Sequence, residues 1–361
     1  MTAAAREVAG IGMGAWRRLS LGVCLSLITA ASSYAAIVHS VVYEGESGIG
    51  AGKHIVYIAS DHEYRGEESL PALARIMAKR YGFKCTVIFG IDPKDGTLLA
   101  GSSDIAGLEV LKDADLMVIF MRFINMADEE MQHFVDYVDR GGPIIGLRTS
   151  THAFQIPKDR KFYRYDFRYP GEEYSMGFGR QVLGETWVTH YGENHRQSSI
   201  LAIEQDNKEH PVLRGVKDMH TQAGGYTAYP LAPSTVLARG IILNGMTVDS
   251  PVDTSKELMP VVWVREYASP SSVKARIFAT TQGASEDILN EGFRRLLVNA
   301  HLWCLGMDED IKPENPVDFV GPYNPSPFKF SGYRRGIKPE DLAGWDSPIM
   351  DPNAPVDEAK K

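Results

Sequence analysis

Gly141-Gly142-Pro143-Ile144-Ile145-Gly146-Leu147-Arg148-Thr149-Ser150-Thr151-His152 is the stretch on which the fold turns. Pro143 to Leu147 is short and apolar, with glycines before it and clustered polar groups after it. That pattern predicts a parallel strand covered on both faces. In open α/β sheets, ligands collect where such strands end. Nucleophile-elbow enzymes place Ser or Cys at this point, in a sharp turn that lifts the side chain above the sheet. Here the position is Arg148, so a site is expected to begin at an arginine.

A strand-then-helix alternation surrounds this segment. Strands are predicted at Lys53 to Ala59, Cys85 to Phe89, Leu116 to Phe120 and Ile144 to Leu147, and later at Val236 to Leu243, Val261 to Glu266 and Arg276 to Thr280. Between them, Leu70, Leu73, Ile76 and Met77 fall on one face of a helix that runs to Tyr81 and is capped by Gly82. Asp128 to Arg140 is a second helix, stopped by Gly141-Gly142, and Glu291 to Leu305 a third. The expected class is α/β, a doubly wound and mostly parallel sheet. Residues 151 to 235 carry little periodicity and are expected to form long loops over the strand ends.

Five segments carry a family resemblance: Lys53 to Arg65, Asp115 to Phe123, Gly146 to Phe154, Gly184-Glu185-Thr186-Trp187-Val188-Thr189-His190-Tyr191-Gly192, and Thr280 to Ser285 with Asn290 to Ala300. On these the chain resembles ThuA-like (trehalose utilisation) proteins of the class I glutamine amidotransferase-like superfamily. The resemblance covers roughly residues 50 to 310 and implies a flavodoxin-like domain, taken here as 53–310, with a pocket at the C-terminal strand ends. It also implies a small-molecule carbohydrate, glycoside or keto-sugar, as the partner. The amidotransferase Cys-His-Glu mechanism is not expected. Arg148 occupies the nucleophile position, and Gln282-Gly283-Ala284-Ser285-Glu286-Asp287 supplies no histidine.

The candidate site residues follow the predicted strands. Asp61, Glu63 and Arg65 lie just past the first strand; Asp61 and Glu63 are candidates for catalysis and Arg65 for substrate binding, against an alternative of helix capping and surface charge. His62 reads equally as a structural histidine. Arg122 follows the third strand, and its planar fork suits carboxylates, phosphates and paired hydroxyls, although an ion pair to Asp61 or Glu63 is also open. Arg148, Thr149, His152 and Gln282 are further binding candidates. His190 is the general acid/base candidate because histidine titrates nearest neutrality, with His195 as a nearby ligand contact. Trp187, Tyr191 and Phe123 could stack on sugar rings. Cofactors are not predicted. A divalent metal held by His152, His190, His195 and an acid is conceivable, but the spacing of the last two histidines is not that of ligands on one helical turn. The competing function is a non-catalytic sugar-binding or scaffold module.

The ends of the chain read differently. Arg17 and Arg18 precede the apolar run Leu19 to Ala31, and Ser33-Tyr34-Ala35-Ala36 offers small residues for cleavage, so residues 1–36 are expected to be an export signal and 37–52 a linker. The run is shorter than the roughly 20 residues that cross a bilayer, which argues against stable membrane insertion. Only Cys85 and Cys304 lie outside it, too few for a disulfide framework. A net charge of −8 with no basic stripe argues against nucleic acid. Self-association into a homo-oligomer stays open. Residues 311–361 are Pro-rich, with Phe319, Tyr323, Phe328, Phe330 and Tyr333 as apolar anchors, and the end after Trp345 is expected to be loose. Mass spectrometry of the protein from its natural host should find a soluble, exported form starting near Ala36 or Ile37. An intact Met1 in that pool would refute cleavage.

Overall fold

The computed structural model describes residues 37–353, so the proposed export signal lies outside the described residues. The strands are β1 (Ser40–Glu44), β2 (His54–Ser60), β3 (Lys84–Phe89), β4 (Leu116–Met121), β5 (Ile144–Leu147), β6 (Ser198–Ile203), β7 (His220–Thr221), β8 (Thr235–Leu243), β9 (Met259–Ala268) and β10 (Lys274–Thr280). They form one sheet in the order β1-β3-β2-β4-β5-β10-β9-β8-β6-β7. From β3 to β10 neighbouring strands are parallel; β1 at one edge and β9, β8, β6 and β7 on the other side are antiparallel. The fold is therefore α/β with a mixed sheet. The short link 269–273 between β9 and β10 forces that pair to be antiparallel, since a parallel return needs a crossover.

Alternation along the central strands feeds two cores. Ile55, Tyr57 and Ala59 of β2 and Leu116, Val118 and Phe120 of β4 join one apolar cluster, while Val56, Ile58, Met117, Ile119 and Met121 join the other. Successive strand residues face opposite ways, so the clusters lie on opposite faces. Helices α1 (Gly66–Tyr81) and α3 (Glu291–Cys304) pack into the first, and α2 (Asp128–Asp139) into the second. Cys85 and Cys304 are buried, free thiols.

Two segments differ from expectation. Residues 40–44, inside the expected linker, form β1: Val41 and Tyr43 are buried while Val42 and Glu44 are exposed, a period-two pattern too short to stand out. The Pro-rich segment, as far as it is described, does not hang free. Ile349 and Met350 are buried in the first core, and Ile349 exchanges backbone hydrogen bonds with Pro322 and Asn324. A segment without ladder bonds leaves its carbonyls in need of donors, and buried arginines supply them. Arg75 of α1 donates to the carbonyls of Leu342 and Ser347 at 2.8 Å each and to Ser347 Oγ at 2.6 Å. Arg294 reaches Val317 O at 2.6 Å, and Arg295 reaches Pro313 O and Asn315 O at 2.8 Å.

Arg75→Met should therefore lower stability by about 3 kcal/mol, the scale of charged hydrogen bonds lost and carbonyls left unsatisfied. Truncation before Trp345 should be at least as damaging. Chemical denaturation checks both; an unchanged midpoint would show that the strap contributes nothing.

Candidate functional site

Because β2, β4, β5 and β10 run parallel, the segments that follow Ser60, Met121, Leu147 and Thr280 leave the sheet at the same edge. Arg148 stands at its centre, fully buried and with φ of 40°, a left-handed backbone that non-glycine residues seldom adopt. An elbow thus exists at the end of β5, with arginine at its tip. The guanidinium carbon lies 3.7 Å from the ring centre of Tyr64 and 4.6 Å from that of Tyr226, a cation held between two aromatic faces. In its plane it donates from Nη1 to Thr281 O at 2.7 Å, whereas Nε and Nη2 have no partner among the described residues.

The loop after β2 is shaped by Asp61. Its Oδ1 accepts the backbone N–H groups of Glu63 and Tyr64 at 2.8 Å, and its Oδ2 that of Gly66 at 3.1 Å. The resulting turn sends Glu63 and Tyr64 toward Arg148 and Arg122. Glu63 Oε2 accepts from Arg122 Nη1 at 2.8 Å, and its Oε1 from Asn194 Nδ2 at 3.0 Å. Asn194 Nδ2 also donates to the Tyr64 hydroxyl at 2.8 Å, which stands 3.2 Å from His190 Nε2. Burial, reinforced by the Arg148 charge, holds the His190 imidazole below its ordinary value. His152 is buried beside Phe123, Trp187 and Tyr226, with ring centres 5.1, 5.4 and 5.6 Å away. Burial, followed by the charges of Arg122 and Arg148, pushes it well below the usual histidine range. Both rings are neutral at neutral pH.

His190 is delivered by backbone pairing between two loops. Tyr191 N–H donates to Gly225 O and Gly192 N–H to Gly224 O, which sets His190 opposite Tyr226. A Cβ on Gly192 would lie 2.6 Å from Gly224 Cα, so the approach needs glycine. The rim is aromatic: half-buried Phe123 and Trp187, and from the C-terminal strap Phe330, 54% exposed, 5.3 Å from the Arg122 guanidinium and parallel to His62 at 6.0 Å. The strap is fixed there by Lys329 N–H to Glu63 O and Ser331 N–H to His62 O.

The structure thus brings together Glu63, Arg122, Arg148, His152 and His190, with Thr149 and Gln282 buried at the ends of the same strands. Three candidates have other tasks. The Asp61 carboxylate is occupied by backbone N–H groups. Arg65, with φ of 65°, turns back and donates to Lys329 O at 2.6 Å. His195 is exposed and stacks on Phe328 at 4.4 Å. Tyr191 leaves the cluster as well, its hydroxyl bonded to Glu257 O. Tyr226, Asn194 and Thr281 were missed; Gly224-Gly225 beside Tyr226 was the available signal of a close backbone approach. Among the described residues no group of three or more His, Cys, Asp or Glu side chains is placed to hold a metal ion.

Comparison with known proteins bears on the family. The family model described as "ThuA: Trehalose utilisation" matches residues 61–304. Solved structures similar to this chain include a putative ThuA-like protein from Parabacteroides merdae, 18% identical, covering 79% of this chain and 98% of that one with a TM-score of 0.46. Another, from Bacteroides uniformis, is 16% identical and covers 75% and 98% with a TM-score of 0.45. No curated protein matches the chain. With a model matched over most of its length, this chain belongs to the ThuA (trehalose utilisation) family.

Proposed function

We propose that the protein takes a carbohydrate, a glycoside or keto-sugar, at the C-terminal strand ends and processes it there without an amidotransferase nucleophile. The observation that carries this reading is the pairing of an aromatic rim, Phe123, Trp187 and Phe330, with a polar floor of Arg122, Glu63, Asn194 and His190. Rings accept the apolar faces of sugars, and fixed donors and acceptors order their hydroxyls. With this goes the finer fold assignment, a flavodoxin-like doubly wound core whose long loops roof the site. Export of the mature chain and independence from a cofactor belong to the same proposal.

His190 is the acid/base residue. Its Nε2 faces the Tyr64 hydroxyl, which Asn194 orients, so a proton can pass between imidazole, phenol and a substrate hydroxyl. Glu63 orients Arg122, and Arg122 binds substrate. Asp61 shapes the loop and takes no part in proton transfer.

Turnover of a sugar panel by His190→Asn and the parent separates an enzyme from a binding module. The variant should bind as the parent does but lose about 100-fold or more in kcat, the typical contribution of a general acid or base. Because the native imidazole is held below 6.5, the acid limb of the kcat/KM profile should fall below pH 6.5: lowering the pH protonates the base and removes activity only there. Equal binding with no product from the parent across glycosides and keto-sugars would support the non-catalytic module instead.

A further inference from the structure

Buried Arg75, Arg294 and Arg295 have most of their donors matched to backbone carbonyls. Arg65 and Arg148 each have one carbonyl partner and unpartnered donors, but Arg65 stands 3.7 Å from the Glu67 carboxylate. The Nε and Nη2 of Arg148 are unpartnered, and no carboxylate lies within ion-pair distance of it among the described residues. The next residues at this edge repeat the pattern. Thr149 Oγ1, Thr281 Oγ1 and both side-chain amide atoms of Gln282 are buried and unpartnered, and Arg148, Thr149, Thr281 and Gln282 are all fully buried. Native proteins leave only a few such atoms per hundred residues, so a run of them along one sheet edge beside a buried guanidinium points to a ligand.

Two of them face a single point. The Cβ that Gly225 lacks would lie 2.9 Å from Gln282 Nε2 and 3.2 Å from Thr281 Oγ1. Gly225 immediately precedes Tyr226, which covers one face of the guanidinium, and Thr281 O accepts from its Nη1. Asp287 fastens the two loops that form this cradle, accepting the N–H of Gln222 at 2.6 Å and those of Gly283 and Ala284 at 2.9 Å. Its carboxylate is thereby committed to backbone rather than to Arg148.

The donor count selects the ligand. Three guanidinium N–H groups on Nε and Nη2, two amide N–H groups and two hydroxyls are available, against one obligate acceptor, Gln282 Oε1. A sugar hydroxyl brings its own donor and would suit this set poorly, whereas a carboxylate only accepts and matches the guanidinium fork in its plane. The nearby histidines add no competing negative charge, and Glu63 is already paired with Arg122. We infer that the cradle of Arg148, Thr281, Gln282 and Gly225 receives an oxyanion, so that the carbohydrate taken at this site is a sugar acid, an aldonate or uronate. This rests on the carbohydrate assignment made above.

Isothermal titration calorimetry of the full chain at fixed ionic strength tests it, with gluconate and glucuronate against glucose and trehalose, and with acetate and inorganic phosphate as bare oxyanions. The sugar acids should bind about tenfold or more tighter than the neutral sugars, as expected for charge-assisted hydrogen bonds. Arg148→Met should abolish that preference. Because Arg148→Met also removes a cation held between two rings, Gln282→Met serves as the second variant; it keeps side-chain volume and should reduce the preference without unfolding, read by circular dichroism. Neutral sugars binding as tightly as the acids would overturn the oxyanion cradle and leave the carbohydrate assignment standing. Acetate or phosphate binding that disappears in Arg148→Met, with no sugar bound at all, would support the cradle and overturn the carbohydrate assignment. No binding by any probe would overturn both.

Discussion

A buried N–H or C=O outside a ladder or helix must still find a partner, and in this protein buried charged side chains supply many of those that other backbone does not. Arg75, Arg294 and Arg295 serve the carbonyls of the Pro-rich strap, while Glu68 accepts Ser326 N–H at 2.6 Å from the same strap. Asp61 collects the N–H groups of the turn before α1, and Asp287 those of two loops beyond β7 and β10. Each irregular segment thereby has buried backbone groups satisfied without a ladder. A hydrophobic core alone could not do this, because apolar packing has no direction. The site inherits its order from these bonds: the turn that aims Tyr64 and Glu63 exists because Asp61 closes it, and Phe330 reaches the rim because the strap is tied on both sides of it.

The same constraint marks the limit of what the sequence discloses. Ile144–Leu147 was legible to the residue, since a strand covered on both faces is written as an apolar run between glycine and polar groups. The first turns of α1 were legible as a helix but not as a buried one. Glu67, Glu68 and Arg75 are charged, a type mostly exposed, yet all are buried, because each answers to residues from 326 onward or to Arg65. Nothing local to α1 records that. For the same reason proline density after residue 311 suggested a loose end: it excludes ladders, but it says nothing of distant arginines that make ladders unnecessary. β6 and β7 were hidden in a stretch of weak periodicity, where the pairing partner supplies what the pattern lacks.

Among site candidates the division follows distance from a strand end. Arg122 and Arg148 stand on the first residue after β4 and β5, where sheet geometry alone fixes them, and both lie in the cluster. Residues deeper in loops could not be placed this way. His190 joins the cluster because glycines let its loop pair with the one before Tyr226, and His195, only a few residues on, does not. Arg65 shows the converse, since its left-handed backbone turns the side chain away from its neighbours Glu63 and Tyr64. Charge type, which singled out all of these residues, cannot distinguish an arginine that holds backbone from one that faces a ligand.

Arg65 and Arg148 share a left-handed backbone, full burial and leftover donors; what distinguishes Arg148 is its place against the rings of Tyr64 and Tyr226, with no carboxylate in ion-pair reach among the described residues, whereas Arg65 stands 3.7 Å from Glu67. A left-handed backbone at a non-glycine residue costs on the order of 1–3 kcal/mol and persists only where the surroundings enforce it. In an elbow enzyme that strain lifts a nucleophile. Here it holds a guanidinium between Tyr64 and Tyr226 while its edge bonds Thr281 O. A planar cation can lie against aromatic rings and still donate outward in its own plane. A lysine ammonium, compact and strongly hydrated, would have to give up one set of contacts to keep the other. At the end of β5, where an elbow enzyme presents a nucleophile, this chain thus presents a fixed, oriented charge.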